Sequence, residues 1–152
     1  MSLVFTSPAK WILCGEHSVV RGGKAIAFPL NDFSNSIFFE KSDDFSIQSD
    51  CSENVVFDLL KTGCRYLNIS PQKISGHLMI KSNIPIKSGL GSSAALCANI
   101  AKIFEFYGYC NNVWEFAKHL EDKFHQKSSG LDVSVVLKNK PTIFSNNKIL
   151  EC

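Results

Sequence analysis

The chain carries almost no excess charge: 16 Lys and Arg stand against 14 Asp and Glu, a formal balance of +2 at pH 7. Nucleic-acid-binding domains gather basic residues on one face or along one helix. No dense Lys/Arg cluster occurs here, so nucleic acid is not the expected partner. No uninterrupted apolar stretch approaches the roughly 20 residues of a membrane span, so no membrane role is expected either. A secretory leader is also missing from the pattern, because Lys10 falls between short apolar pieces and no apolar h-region follows. Cytoplasmic is therefore the expected location. The six cysteines (Cys14, Cys51, Cys64, Cys97, Cys110 and Cys152) form no C-x-x-C pair, which removes the common zinc spacings. Cys64 and Cys97 sit in apolar helical patterns and are read as packing residues of a reducing compartment. Internal repeats and low-complexity tracts are absent, and so is the Walker pattern G-x-x-x-x-G-K-[ST].

What is present suits a soluble globular fold. Apolar residues make up 45% and charged residues 20% of 152 positions. A chain of this length buries about 68–70% of its unfolded surface in a single core. Residues 3–14 alternate loosely and predict two short strands around Ser7-Pro8. Residues 15–23 read as a loop, 24–30 and 35–40 as two strands, and 45–49 as a further strand after the turn at Asp43-Asp44. Helical spacing places Val55, Val56, Leu59, Leu60, Cys64 and Leu67 on one face, and predicts a helix over 54–67. A strand follows at 77–82. Residues 92–107 are apolar almost all round, with Ala94, Ala95, Ala98 and Ala101 allowing close approach, so this helix is central. Asn112 caps the next helix. Val113, Phe116, Ala117, Leu120 and Phe124 form its buried stripe, with Glu121 on the flank. A new element begins at Ser129-Gly130-Leu131-Asp132. The order of strands and helices predicts α+β architecture, a two-layer α/β sandwich.

Three segments carry chemistry. Pro85-Ile86-Lys87-Ser88-Gly89-Leu90-Gly91-Ser92-Ser93-Ala94-Ala95 joins a strand to the central helix. Its glycines free the backbone, and helix N-terminal N–H groups lack intrahelical partners at the positive end of the dipole. The segment reads as an anion cradle. It formally matches G-x-G-x-x-A, but Ser82 to Ser88 separate it from the strand. Moreover, the region about 20 residues on, Gly108 to Asn112, is a turn rather than a strand end with an acidic residue. The second segment is Pro8-Ala9-Lys10 with Gly15-Glu16-His17-Ser18-Val19-Val20-Arg21-Gly22, weak evidence taken alone. The third pairs Glu121 with Asp132. Two converging carboxylates serve as general acid and base, or one holds a metal while the other orients a hydroxyl.

Taken together and in this order, the segments resemble the GHMP kinase superfamily, and within it the mevalonate kinases. Gly-Leu-Gly-Ser-Ser-Ala-Ala is the superfamily feature, and Gly-Glu-His-Ser-Val-Val is closer to the mevalonate kinases. The resemblance covers nearly the whole chain. It implies an N-terminal ATP-binding domain over 1–152, with a left-handed β-α-β arrangement related to a ribosomal-protein domain. It also implies a C-terminal ferredoxin-like domain beyond it, absent here: no glycine follows Gly130, so the third glycine-rich motif of these kinases is not in this sequence. ATP and Mg²⁺ are implied as cofactors, and mevalonate as the acceptor of the γ-phosphoryl group. The backbone of Lys87, Ser88, Gly89, Leu90, Gly91, Ser92 and Ser93 would wrap the β- and γ-phosphates. Ser93 and Glu121 would ligate Mg²⁺. Asp132 would accept or orient the hydroxyl proton, with Lys10 beside it favouring the ionised carboxylate and the developing alkoxide. Glu16 and His17 would contact substrate or shape its pocket.

Two departures from the family pattern stand out: Ala9 where Pro-Gly-Lys is usual, and Gln126 in place of the first glycine of His-Gly-x-x-Ser-Gly. Met-Ser-Leu at the start reads as a tag remnant. A domain of this kind alone is expected to be slow or inactive, with a second copy or the missing half as its macromolecular partner. The alternatives are a GHMP kinase for a sugar or homoserine, and a non-catalytic nucleotide-binding or interaction module.

Overall fold

The computed structural model describes residues 2–151. Six strands form one mixed sheet, in the order β3-β4-β2-β5-β6, with β1 also paired to β2. The strands are β1 (Ser2–Cys14), β2 (Ala25–Lys41), β3 (Ser46–Ser49), β4 (Gly76–Ser82), β5 (Thr142–Ser145) and β6 (Lys148–Glu151). Among the described residues, five α-helices accompany them, α1 (Glu16–Val19), α2 (Glu53–Tyr66), α3 (Ser92–Phe106), α4 (Val113–Glu121) and α5 (Leu131–Lys138), with a short 3-10 helix at Pro71–Ile74. β3 and β4 are parallel and are joined through α2, which makes the β-α-β unit, while the remaining pairings are antiparallel. The sheet with packed helices agrees with the expected α+β sandwich.

β2 organises the sheet. Along one edge it pairs with nearly all of β1. Along the other it pairs with β4 through Asn35–Lys41 and with β5 through Ala25–Ala27. The two strands expected at 24–30 and 35–40 are one continuous strand with a local irregularity. Pro8 pairs with Ser34 and Ala9 with Leu30, so residues 31–33 have no partner in β1. Asn83 closes this bulge: its Oδ1 accepts from Ser34 N at 2.7 Å and its Nδ2 donates to Asp32 O at 3.2 Å. Likewise β1 is one strand rather than two. It lies on the sheet margin, where Pro8 needs no ladder partner on its free side. Ser2 and Leu3, read as a tag remnant, pair with Glu40 and Phe39 as part of that strand.

α3 is the central helix. Ten of its fifteen residues are buried, including Ala94, Ala95, Ala98 and Ala101, whose small side chains let β1, β2, α4 and α5 approach closely. The main core gathers Ile37, Phe39, Leu59, Ile100, Ile103, Phe104, Phe116 and Leu120 between sheet and helices. Asn112 caps α4 as expected, accepting from Glu115 N at 3.1 Å. Phe124 departs from the expected stripe, since it lies past the end of α4 and is 39% exposed. Glu16–Val19 is a helical turn inside the segment expected to be loop. The packing reading holds for Cys64 and Cys97, which are buried. Cys110 is buried too, Cys51 is partly exposed and packs against the main core, and Cys14 is exposed on β1; Cys152 lies outside the described residues. No helix among the described residues is long and apolar enough to cross a membrane.

Candidate active site

The segment between β4 and α3 forms an open cradle. Lys87, Gly89 and Gly91 all take positive φ (58°, 75° and 78°), and Gly91 is the residue from which α3 starts. The N–H groups of Gly89 to Ser93 donate to no protein acceptor among the described residues. They are free for an anion at the positive end of a fifteen-residue helix. Ser88 Oγ donates to Pro85 O at 2.6 Å. A cavity of about 540 Å³ opens in front of this loop, lined by residues 84–93 together with Lys10, Glu16, Asn35, His125 and Asp132.

Lys10 ties the cradle to the sheet. Its N donates to Leu90 O at 2.9 Å. Its side chain runs beneath Gly91, where an added Cβ would lie 2.7 Å from Lys10 Cγ. The ammonium then reaches Asp132, with Nζ 2.9 Å from Oδ2, and Lys10 is only 3% exposed. Ala9 occupies an ordinary strand position with no positive φ, so alanine fits there without strain.

Asp132 stands in the first turn of α5, which starts from Gly130 at φ 82°. A Cβ at Gly130 would meet Trp114 Cζ2 at 2.6 Å, so only glycine lets the helix start this close to α4. Ser134 locks the same turn: its Oγ donates to Gly130 O at 2.7 Å and accepts from Trp114 Nε1 at 2.6 Å. Gln126 takes no positive φ, so the loop turns without the family's glycine at that position.

Glu121 ends α4 and is 1% exposed. It was expected on the flank of the apolar stripe, beside the core, and it is buried there together with Phe116, Ala117 and Leu120. Burial first, and then the neighbouring Asp132 charge, push its carboxyl up to about 8 against the opposing pull of Lys10. Its Oε1 has no hydrogen-bond partner. Glu121 faces a second, smaller cavity of about 160 Å³, which shares Glu16, His125 and Asp132 with the larger one. A buried carboxylate oxygen without a donor is what a cation ligand presents, so Glu121 fits a divalent ion. Ser93 lines the larger cavity and Glu121 the smaller, with Asp132 at their border.

The structure thus gathers Lys10, Glu16, the 87–93 loop, Glu121 and Asp132 around two adjoining cavities. His17 is not gathered with them, being exposed on α1 and lining neither cavity. Several wall residues were not anticipated. His125 borders both cavities, and Asp50, Cys51 and Ser52 close the far end of the larger one at the entry to α2. His125 had a sequence signal, four residues after Glu121, whereas Asp50–Ser52 looked like an ordinary strand-to-helix turn.

The family model for the GHMP kinases N terminal domain matches residues 54–140. A mevalonate kinase of Archaeoglobus fulgidus is 34% identical over 142 residues, covering 86% of this chain and 48% of that protein. A mevalonate kinase of Methanocaldococcus jannaschii is 29% identical over 172 residues, covering 96% of this chain and 55% of that protein. The crystal structure of the Methanococcus jannaschii mevalonate kinase superposes with a TM-score of 0.81 at 25% identity, over 100% of this chain and 56% of that one. The chain spans about half the length of the curated relatives it matches.

Proposed function

The chain belongs to the GHMP kinases through their N-terminal domain, and we propose that residues 1–152 form the ATP-binding half of a mevalonate kinase. The reaction is transfer of the γ-phosphoryl group of ATP to the primary hydroxyl of mevalonate. One observation carries this reading: the 2.9 Å Lys10–Asp132 ion pair sits directly under a loop whose free N–H groups face the same cavity. An anion cradle and a proton acceptor side by side are what phosphoryl transfer to an alcohol requires, since that chemistry is mostly positioning and charge stabilisation.

In this mechanism the N–H groups of Gly89 to Ser93 hold the β- and γ-phosphates, and Lys87 and Ser88 shape the rim. Mevalonate lies between Asp132 and Glu16, with His17 outside the cavity walls. Asp132 Oδ2 is engaged by Lys10, which leaves Oδ1 to take the hydroxyl proton as the new O–P bond forms and the bond to ADP breaks. Lys10 balances the negative charge on the reacting oxygen. Glu121 and Ser93 are the residues that would hold Mg²⁺, which supplies charge neutralisation to the phosphates when bound. The part of the relatives left uncovered by the match would close the site from the other side and exclude water, so this chain alone turns over slowly.

The test joins this chain to the uncovered part of the Archaeoglobus fulgidus relative and follows ADP release with mevalonate, homoserine and galactose. Asp132→Asn is expected to lower turnover at least ~100-fold while ATP affinity stays within about threefold. Full turnover by Asp132→Asn would remove Asp132 as proton acceptor. Faster reaction with homoserine or galactose would replace the acceptor while keeping the kinase.

A further inference from the structure

Among the described residues, two buried side-chain oxygens lack any hydrogen-bond partner, Glu121 Oε1 and Ser128 Oγ, and both residues line the same 160 Å³ cavity. Native interiors rarely leave such groups unpaired, and an ion or ordered water usually explains the exceptions. Glu121 is 1% exposed and Ser128 9% exposed, so bulk solvent does not satisfy them. Ser128 is also held in place: its N donates to Asp122 Oδ1 at 2.8 Å, and two residues later the chain takes the tight turn at Gly130. The backbone of Ser128 is thus held, and its residue lines one cavity with Glu121, Asp132 and Glu16, and with Lys127.

We propose that Ser128 Oγ is a further oxygen of the divalent-cation site built on Glu121. The proposal rests on reading Glu121 as a cation-facing carboxylate, and not on mevalonate as acceptor. No group of three His, Cys, Asp or Glu side chains among the described residues is placed to hold an ion by itself. A site with one committed carboxylate then needs hydroxyl and water oxygens, which hard cations accept. The cavity has room for them, since one water needs only about 10–15 Å³ of such space. Ser128 lies outside the Ser129-Gly130-Leu131-Asp132 motif, so the contribution belongs to this chain rather than to the motif.

The probe is Mn²⁺ alone, titrated into this chain without nucleotide and followed by the electron paramagnetic resonance signal of the free ion. Ser128→Val and Ser128→Thr add the same methyl bulk, and only Thr keeps the hydroxyl. Val is expected to weaken Mn²⁺ binding about tenfold relative to Thr, with Glu121→Gln weaker still. Thermal unfolding in the absence of metal checks that the variants fold alike. Equal Mn²⁺ affinity in the Val and Thr variants overturns the proposal, as does wild-type binding no tighter than that of Glu121→Gln. Neither result depends on turnover, so a kinase that rejects mevalonate leaves this test intact.

Discussion

Gly91→Ala, set against Gly89→Ala, tests whether the anion loop and the Lys10 side chain form one mechanical unit. Both glycines are left-handed, at φ 78° and 75°. An L-residue there costs roughly 1–2 kcal/mol. At Gly89 an added Cβ meets nothing within 4 Å, so this strain is the whole cost. At Gly91 the same atom lies 2.7 Å from Lys10 Cγ and 2.9 Å from Cε. Lys10 cannot swing aside cheaply, because it is buried and its ammonium is held 2.9 Å from Asp132. Overpacking of this kind adds about 1–3 kcal/mol. Urea unfolding at pH 7 is therefore expected to show Gly91→Ala losing about 2–5 kcal/mol and Gly89→Ala about 1–2 kcal/mol. A double-mutant cycle isolates the cause: in a Lys10→Ala background the extra penalty at Gly91 vanishes. Equal destabilisation by the two alanines would refute the reasoning, and so would a Gly91 penalty that survives without Lys10. Function separates them in the opposite sense. The open space at Gly89 is where phosphate oxygens would approach, so Gly89→Ala reduces ATP affinity while sparing most of the stability.

The remaining predictions concern the groups around the loop. The Glu121 carboxyl keeps its proton up to about pH 8 when folded, against 4.5 for the free side chain. Its contribution to stability is full below about pH 4.5 and is lost as pH rises through about 8. Unfolding midpoints in urea should fall between pH 5 and pH 8.5, and Glu121→Gln should flatten that fall; parallel wild-type and variant curves would contradict it. Gly130→Ala forces a left-handed alanine against Trp114 and is expected to cost about 2–5 kcal/mol in thermal unfolding, with a loss under ~0.5 kcal/mol showing that Trp114 yields freely. Asn83→Ala strips the bulge of its closing group and is expected to cost about 1–3 kcal/mol. Hydrogen exchange at the Ser34 amide should quicken in that variant, and unchanged exchange would mean that the bulge holds itself.

Local chemistry was legible in the sequence and long-range burial was not. The spacing of Val56, Leu59, Leu60 and Cys64 gave α2, and the alanines gave α3 its central position, because helical periodicity is read within a few turns. β1 was divided at Ser7-Pro8 and β2 between 30 and 35, where the local pattern does not continue a strand. A marginal strand position accommodates the first, and the Asn83 side chain, arriving from beyond β4, accommodates the second. Glu121 shows the same limit at the site. Periodicity places it beside the apolar stripe, and its burial comes from elements distant in sequence, α3 with Cys97 and α5 with Asp132. The loop glycines were readable because a free backbone before a helix has a local meaning. What sits beneath them is not local: Lys10 enters from β1 and Asp132 from α5, and the sequence united them through family resemblance alone. Gly91 supplies the physical link that resemblance leaves out. Its missing side chain makes room for the Lys10 stem, so one glycine both frees the anion loop and admits the cation that meets Asp132. Under the proposed function, a substitution there would disturb phosphate holding and proton transfer together, because a Cβ at Gly91 would press on the Lys10 stem.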